Sequence, residues 1–510
     1  MAKPISILLL GSAALTVAAV SGAMAQREAP ASRWWAPGSG ETIPARASYA
    51  NAEGQVTLLN MDGPVETRGH AFFEPHGKDG RACVTCHQPA DGMGLSLKTI
   101  QERWRETNGT DPLFAAVDGA NCPSLPQQDP KSHSLLLEHG LIRINLPWPG
   151  KDEMGKAVEP EFDIEVVRDP SGCNLDPQYG LNAANPTISV FRRPRAVANM
   201  RFITASYSLR GERGRRFNNK TGLPLAVNPD TGLRVGLPIQ SDGRVTTLQA
   251  QAVDAAAGHL QYAQGLTKAE LVQIEQFTNQ LLVAQGTSKL VGRLGGPGEP
   301  SGLGPDPLVT AKPHVSGNNW TTPIFDTFEA WEAPRPTDTA EQRAFRASVM
   351  RGYAIFTERP LTIRDVAHFN TIGMGNPYKR NCVICHALRY VGTDTTPGVM
   401  DIGLANKPWS PDQPWLPLFK VTCRKDVDPH PYLGRVIYTH DPGRALISGK
   451  CEDVGSLVMQ QLRGVAGRAP YFANGSAKDL PELVDFYDSR FDMKLTQSEK
   501  RDLVNFLTVL

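Results

Sequence analysis

Net charge is almost lacking in this chain: 53 Lys and Arg stand against 52 Asp and Glu, a formal charge of +1. Such a balance gives no sequence-wide field for nucleic acid or an anionic membrane, so any charged docking patch has to be local. Apolar runs long enough to span a bilayer are missing after the leader described below. Cysteine is scarce, eight in 510 residues, which is far from the density of a disulfide scaffold. Each cysteine therefore needs its own explanation.

The chain opens with Lys3, a largely apolar stretch from Ile5 to Val20, and Ala23-Met24-Ala25. That order of a basic, an apolar and a small-residue A-x-A segment is a secretory signal, predicting a mature chain from near Gln26 and a periplasmic location, unless the segment is kept as an anchor. The remaining length suggests two to four domains, at roughly 100–200 residues each.

Cys83-Val84-Thr85-Cys86-His87 and Cys382-Val383-Ile384-Cys385-His386 repeat one pattern. C-x-x-C-H is the attachment signature of a c-type haem. Two thiols at this spacing add across the haem vinyl groups while the adjacent histidine is held under the ring to ligate iron. A zinc half-site or a thiol redox pair shares the cysteine spacing. Two copies, each with His following, in an exported chain point instead to two covalent haems with His87 and His386 on the irons. The other cysteines, Cys122, Cys173, Cys423 and Cys451, fall two to each half. They suggest Cys122–Cys173 and Cys423–Cys451 disulfides in an oxidising compartment, with pairing between halves as the alternative.

The flanks repeat as well. Arg68-Gly69-His70-Ala71-Phe72-Phe73 precedes the first motif and Arg351-Gly352-Tyr353-Ala354-Ile355-Phe356 the second. Phe345, Val349, Tyr353 and Phe356 recur at helical spacing and predict an amphipathic helix. Thr267-x-x-Glu270 and Thr496-x-x-Glu499 are capping boxes that open helices, with Phe277 and Phe506 at the same offset behind them. The order helix, motif, intervening segment, capped helix predicts a mainly α fold: two cytochrome c-like haem domains related by internal duplication. The expected boundaries are a signal at 1–25, a polar arm at 26–65, a first domain at 66–290, a Gly- and Pro-rich linker at 291–335 and a second domain at 336–510. In the first domain, Leu141 to Leu146 and Phe162 to Val167 alternate like strands and suggest an inserted β-hairpin. A polar excursion near Gly211 to Ser241 contains the basic run Arg213-Gly214-Arg215-Arg216, read as a solvated loop in preference to a docking patch.

Asp242-Gly243-Arg244 with Leu248 and Gln251, and Asp441-Pro442-Gly443-Arg444 with Leu462-Arg463, Ala469-Pro470-Tyr471-Phe472 and Asn474-Gly475-Ser476, resemble the bacterial dihaem cytochrome c peroxidase and MauG superfamily. The resemblance implies an electron-transfer haem in the second half and a peroxide-reactive haem in the first. It aligns the sixth ligand of the second iron, Met or Tyr in the family, with Tyr487; Met493 or Met459 is the alternative. Aligning the two halves places Ala255 at the position equivalent to Tyr487, which predicts one closed iron and one open iron.

Departures from the family bear on the chemistry. Its Trp between the haems is Ser241 here, with Trp104 or Trp148 as substitutes, and its distal Glu aligns with Gln261, an amide that cannot exchange protons. His259 is the substitute proton carrier, oriented with Gln251 and Gln261 around peroxide; it could instead ligate the first iron or face solvent. Arg193 and Arg468 fall at the ligand positions of the family's interhaem calcium and supply positive charge of their own, which argues for arginine in place of calcium, while ligation through backbone oxygen at Arg468 would keep the calcium site possible. Ala473 replaces a further family His. These features predict a dihaem oxidoreductase reducing hydrogen peroxide with electrons from a small periplasmic electron-transfer protein. The alternatives are MauG-type oxidation of an organic or protein substrate, an electron carrier without catalysis, and an oxygenase.

Overall fold

The computed structural model describes residues 34–151, 155–205, 239–245, 247–311, 328–371, 375–388, 391–393 and 399–510. The leader and the excursion at 206–238, with its basic run, lie outside them. Helix accounts for 31% of the chain and strand for 19%, the strands falling into several sheets. The expected mainly α architecture of two cytochrome c-like domains is therefore overturned, and the fold is mixed.

Much of the strand content lies where the sequence suggested an arm. Arg46–Ala50 and Gly54–Asn60 pair antiparallel, and Gly54–Asn60 pairs again with Leu281–Ser288, followed by Gly292–Arg293, to make a four-stranded sheet. Val56 and Leu58 are buried against Phe72, Phe73 and Phe277. Leu281–Ser288 follows directly on the helix Lys268–Gln280. Its Leu-Leu-Val-Ala run is buried throughout, as an inner strand requires, and carries no alternation to announce it.

The expected hairpin does not form, although both of its strands do. Ile142–Pro147 pairs with Thr187–Arg192, and Phe162–Arg168 pairs with Leu418–Cys423 from the second half, which also pairs with Val436–Thr439. Alternation dictates a half-buried strand but does not name its neighbour. Both disulfides form as expected, Cys122–Cys173 and Cys423–Cys451.

The helical expectations hold locally. Ala340–Glu358 buries Phe345, Val349 and Phe356 against the closing helix Gln497–Thr508. Gly352 permits their approach, since a Cβ there would meet Asp502 O at 2.0 Å. Both capping boxes are present, on Lys268–Gln280 and Gln497–Thr508. Leu248–Gly258 and Leu480–Phe491 occupy equivalent places before them. The first hexapeptide, however, is a turn with Gly69 at φ +70°, so the repeat is partial. The stretch read as linker also contributes core, with Leu294, Leu303 and Leu308 buried.

Candidate functional site

Each C-x-x-C-H motif forms a single tight turn, Cys83–Thr85 and Cys382–Ile384, on the wall of a cavity. Cys83, Cys86 and His87 line the first. Cys382, Cys385 and His386 line the second. Aromatic packing holds both turns from behind. Phe277 packs on Phe72 at 4.9 Å, and Phe72 lies 6.3 Å from the His87 ring. Phe506 packs on Phe356 at 5.3 Å, and Phe356 lies 6.4 Å from the His386 ring.

The imidazoles are oriented alike. His87 Nδ1 lies 3.3 Å from Met93 O and His386 Nδ1 lies 2.9 Å from Gly392 O. Donation at Nδ1 leaves the lone pair on Nε2 in both, the form that ligates a metal. Burial pushes the Cys83, Cys86 and Cys382 thiols up to about 12, against thiolate exchange or zinc chemistry. Among the described residues no group of three or more His, Cys, Asp and Glu converges as a zinc site needs.

Arg193, Pro194, Ala196, Val458 and Met459 line both cavities and form the wall they share. Among the described residues, Arg193, Arg195 and Arg468 in and beside this wall hydrogen-bond to backbone oxygen, whereas the neighbouring Arg192 pairs with Asp242 and Asp441. Arg193 Nη2 donates to Leu95 O at 2.6 Å and to Arg468 O at 3.0 Å; Arg195 donates to Val458 O at 2.8 Å and Met459 O at 2.6 Å. Arg468 Nη2 donates to Gln461 O at 2.9 Å and Arg463 O at 3.0 Å. Burial pushes all three guanidinium groups down to about 10. Buried cations without carboxylate partners are costly. The carboxylates of a haem in each cavity would give these guanidinium groups anionic hydrogen-bond partners, so the donor set, the paired thiols and the buried positive charge fit a haem in each.

Beyond the histidines the cavities differ. The helix Leu248–Gly258 gives Gln251, Ala252 and Ala255 to the first cavity, and its C-cap His259 follows on the same wall. His259 Nδ1 lies 2.8 Å from Asp118 Oδ2. Its equivalent helix Leu480–Phe491 gives Tyr487 to the second cavity, with the ring 6.5 Å from that of His386. Burial pushes the Tyr487 phenol well above its ordinary range. Met459 and Met493 line the same cavity, so all three expected sixth ligands are within it.

Gln261 is the exception among the expected site residues. Its φ of +50° ends the helical turn, and the side chain is exposed outside the cavity, so it does not join Gln251 and His259. Ser241 lines the first cavity. Neither substitute tryptophan lines either of these two cavities: Trp104 packs on Phe114 and His133, and Trp148 on Phe162. Sequence reasoning missed Asp118 and Arg81, both on the first cavity. Arg81 sits two places before Cys83 and could have been flagged; Asp118 is 141 positions from His259 and has no motif around it.

No family model matches the chain, and no curated protein gives a significant match. Among solved structures it is similar to hydrazine synthase from Kuenenia stuttgartiensis, at 12% identity over 63% of this chain and 73% of that one, with a TM-score of 0.29. It is also similar to a MauG-like protein associated with microbial copper homeostasis, at 16% identity over 55% of this chain and 70% of that one, with a TM-score of 0.25. At these scores neither likeness fixes the fold or the activity.

Proposed function

We propose that the chain is a periplasmic dihaem oxidoreductase that reduces hydrogen peroxide in the first cavity, with electrons entering at the second from a small electron-transfer protein. The observation that carries this is the contrast between equivalent helices: Ala255 on the first cavity, a methyl that cannot ligate, and Tyr487 on the second, a phenol that can. Cys83, Cys86 and His87 would hold one haem, and Cys382, Cys385 and His386 with Tyr487 the other. When bound, each haem supplies a redox-active iron.

The chain's own residues handle protons and position. Peroxide needs two electrons and two protons to become two waters. His259, with Nδ1 engaged by Asp118, offers Nε2 to take a proton from one peroxide oxygen and return it to the other. Gln251 holds the substrate by its amide without exchanging protons. Arg193 engages the carbonyl oxygens of Leu95 and Arg468 and puts its own positive charge between the cavities, in place of the family's calcium. The two disulfides support an oxidising compartment, and no helix among the described residues is long and apolar enough to cross a membrane.

The test is an optical and EPR spectrum of the oxidised holoprotein. A high-spin ferric signal that changes on adding peroxide is expected. Two low-spin centres indifferent to peroxide would reduce the protein to an electron carrier.

A further inference from the structure

Asp118 has no motif around it, yet it is built into the first cavity from several directions. Its side chain is 5% exposed, and Oδ2 lies 2.8 Å from His259 Nδ1 and 3.1 Å from Arg81 Nη1. Its backbone is fixed too. Arg143 donates through its amide to Asp118 O at 3.0 Å and through Nε to Val117 O at 2.9 Å, and His133 Nδ1 lies 2.8 Å from Gly119 O. Arg81 is anchored by Nε on Asp79 Oδ2 at 2.8 Å. Burial works against the Arg81 charge, but Asp118 and Asp79 outweigh it and raise its pKa, so the guanidinium stays charged beside the carboxylate.

We propose that Asp118 is the positioning residue of the first cavity: by accepting a hydrogen bond from Nδ1–H it fixes His259 in the tautomer whose lone pair is on Nε2 and holds the ring on the cavity wall. Arg81 ties this arrangement to the segment that runs into Cys83. The role rests on His259 being the proton carrier proposed above. A ring without this carboxylate can rotate and exchange tautomers, and in one of them Nε2 carries a proton and takes none.

Cyanide binding to the ferric holoprotein tests the role without requiring turnover, because hydrogen cyanide must surrender its proton to bind as the anion. His259→Ala is expected to slow binding on the order of 100-fold, as for loss of a general base. Asp118→Ala should slow it about 10–100-fold, the usual effect of removing a histidine's carboxylate partner. Asp118→Asn, which keeps an oxygen acceptor, should lie between wild type and Asp118→Ala. The double variant Asp118→Ala/His259→Ala should be no slower than His259→Ala alone. An equal loss from Asp118→Ala in both backgrounds overturns the proposal, as does a wild-type rate in Asp118→Ala. Should that variant fail to fold, Asp118→Asn with and without His259→Ala carries the same comparison. If the expected pattern appears and peroxide is not consumed, peroxide reduction falls and the positioning role stands. A wild-type protein that binds no cyanide overturns both.

Discussion

Arg192 grips the Asp441 carboxylate with two parallel hydrogen bonds, of 2.7 and 2.9 Å, across 249 positions of sequence. Its remaining nitrogen, Nη1, donates at 2.6 Å to Asp242, a carboxylate 0% exposed. Asp242 lies in the Asp-Gly-Arg segment of the first half and Asp441 in the Asp-Pro-Gly-Arg segment of the second, so one buried guanidinium bridges the two halves. Removing it would leave both carboxylates in a site built around its charge. Arg192→Leu is expected to lower the unfolding free energy by about 3–5 kcal/mol, measured by denaturant titration of the holoprotein. Adding Asp242→Asn and Asp441→Asn should recover much of that loss.

His430 gives a pH dependence whose sign is set by geometry. Its Nδ1 accepts from the amides of Tyr432 and Leu433 at 3.3 and 3.1 Å, and the ring is 1% exposed. Protonating Nδ1 would turn an acceptor into a donor facing two donors. Burial pushes the imidazole down from 6.5 to about 4. The unfolded chain therefore binds this proton first, and stability present above pH 6.5 is lost as pH falls towards 4. His430→Gln should flatten that part of the profile, read as the thermal midpoint at intervals between pH 7 and 4. An unchanged slope would remove His430 from the account.

Tyr487 is testable by spectroscopy apart from turnover. If its phenol completes the second site, Tyr487→Phe should change the low-spin ferric signature of that centre alone. The signal of the first centre should stay as in the wild type, because Tyr487 does not line the first cavity. A variant with an unaltered spectrum would transfer the role to Met459 or Met493.

Arg193 bears on calcium. Its guanidinium already engages the backbone oxygens of Leu95 and Arg468. Elemental analysis should find no stoichiometric calcium, and a chelator should leave the thermal midpoint unchanged. Arg193→Gln should destabilise by about 1–3 kcal/mol, the cost of leaving buried oxygens without donors. Calcium that copurifies at one equivalent would defeat this view.

What could be read in the sequence was local. Thr267 with Glu270 and Thr496 with Glu499 announce helices because a capping box lies within four residues. The Phe345, Val349 and Phe356 stripe does so because its period is set by one helix. The cysteine pairs closed as their distribution between the halves suggested. What escaped was non-local. Phe162–Arg168 shows alternation yet takes a partner from the other half, and Leu281–Ser288 hides in a run buried on both faces. Those pairings are why a chain with readable helices is not mainly α. The candidate site divides in the same way: the motif histidines and His259 were visible, whereas Asp118 reaches His259 only through the fold, and the backbone after Leu260 turns Gln261 away.

The strand exchange also constrains the order in which the chain can be completed. Glu165 must wait for Lys420, 255 positions later, before the sheet between them can close. A chain synthesised from its amino end has that edge open while its first C-x-x-C-H motif is already made. Premature association of the open edge is then the hazard of biogenesis. The Phe162–Arg168 edge thus finds this partner strand only after the second half has been made.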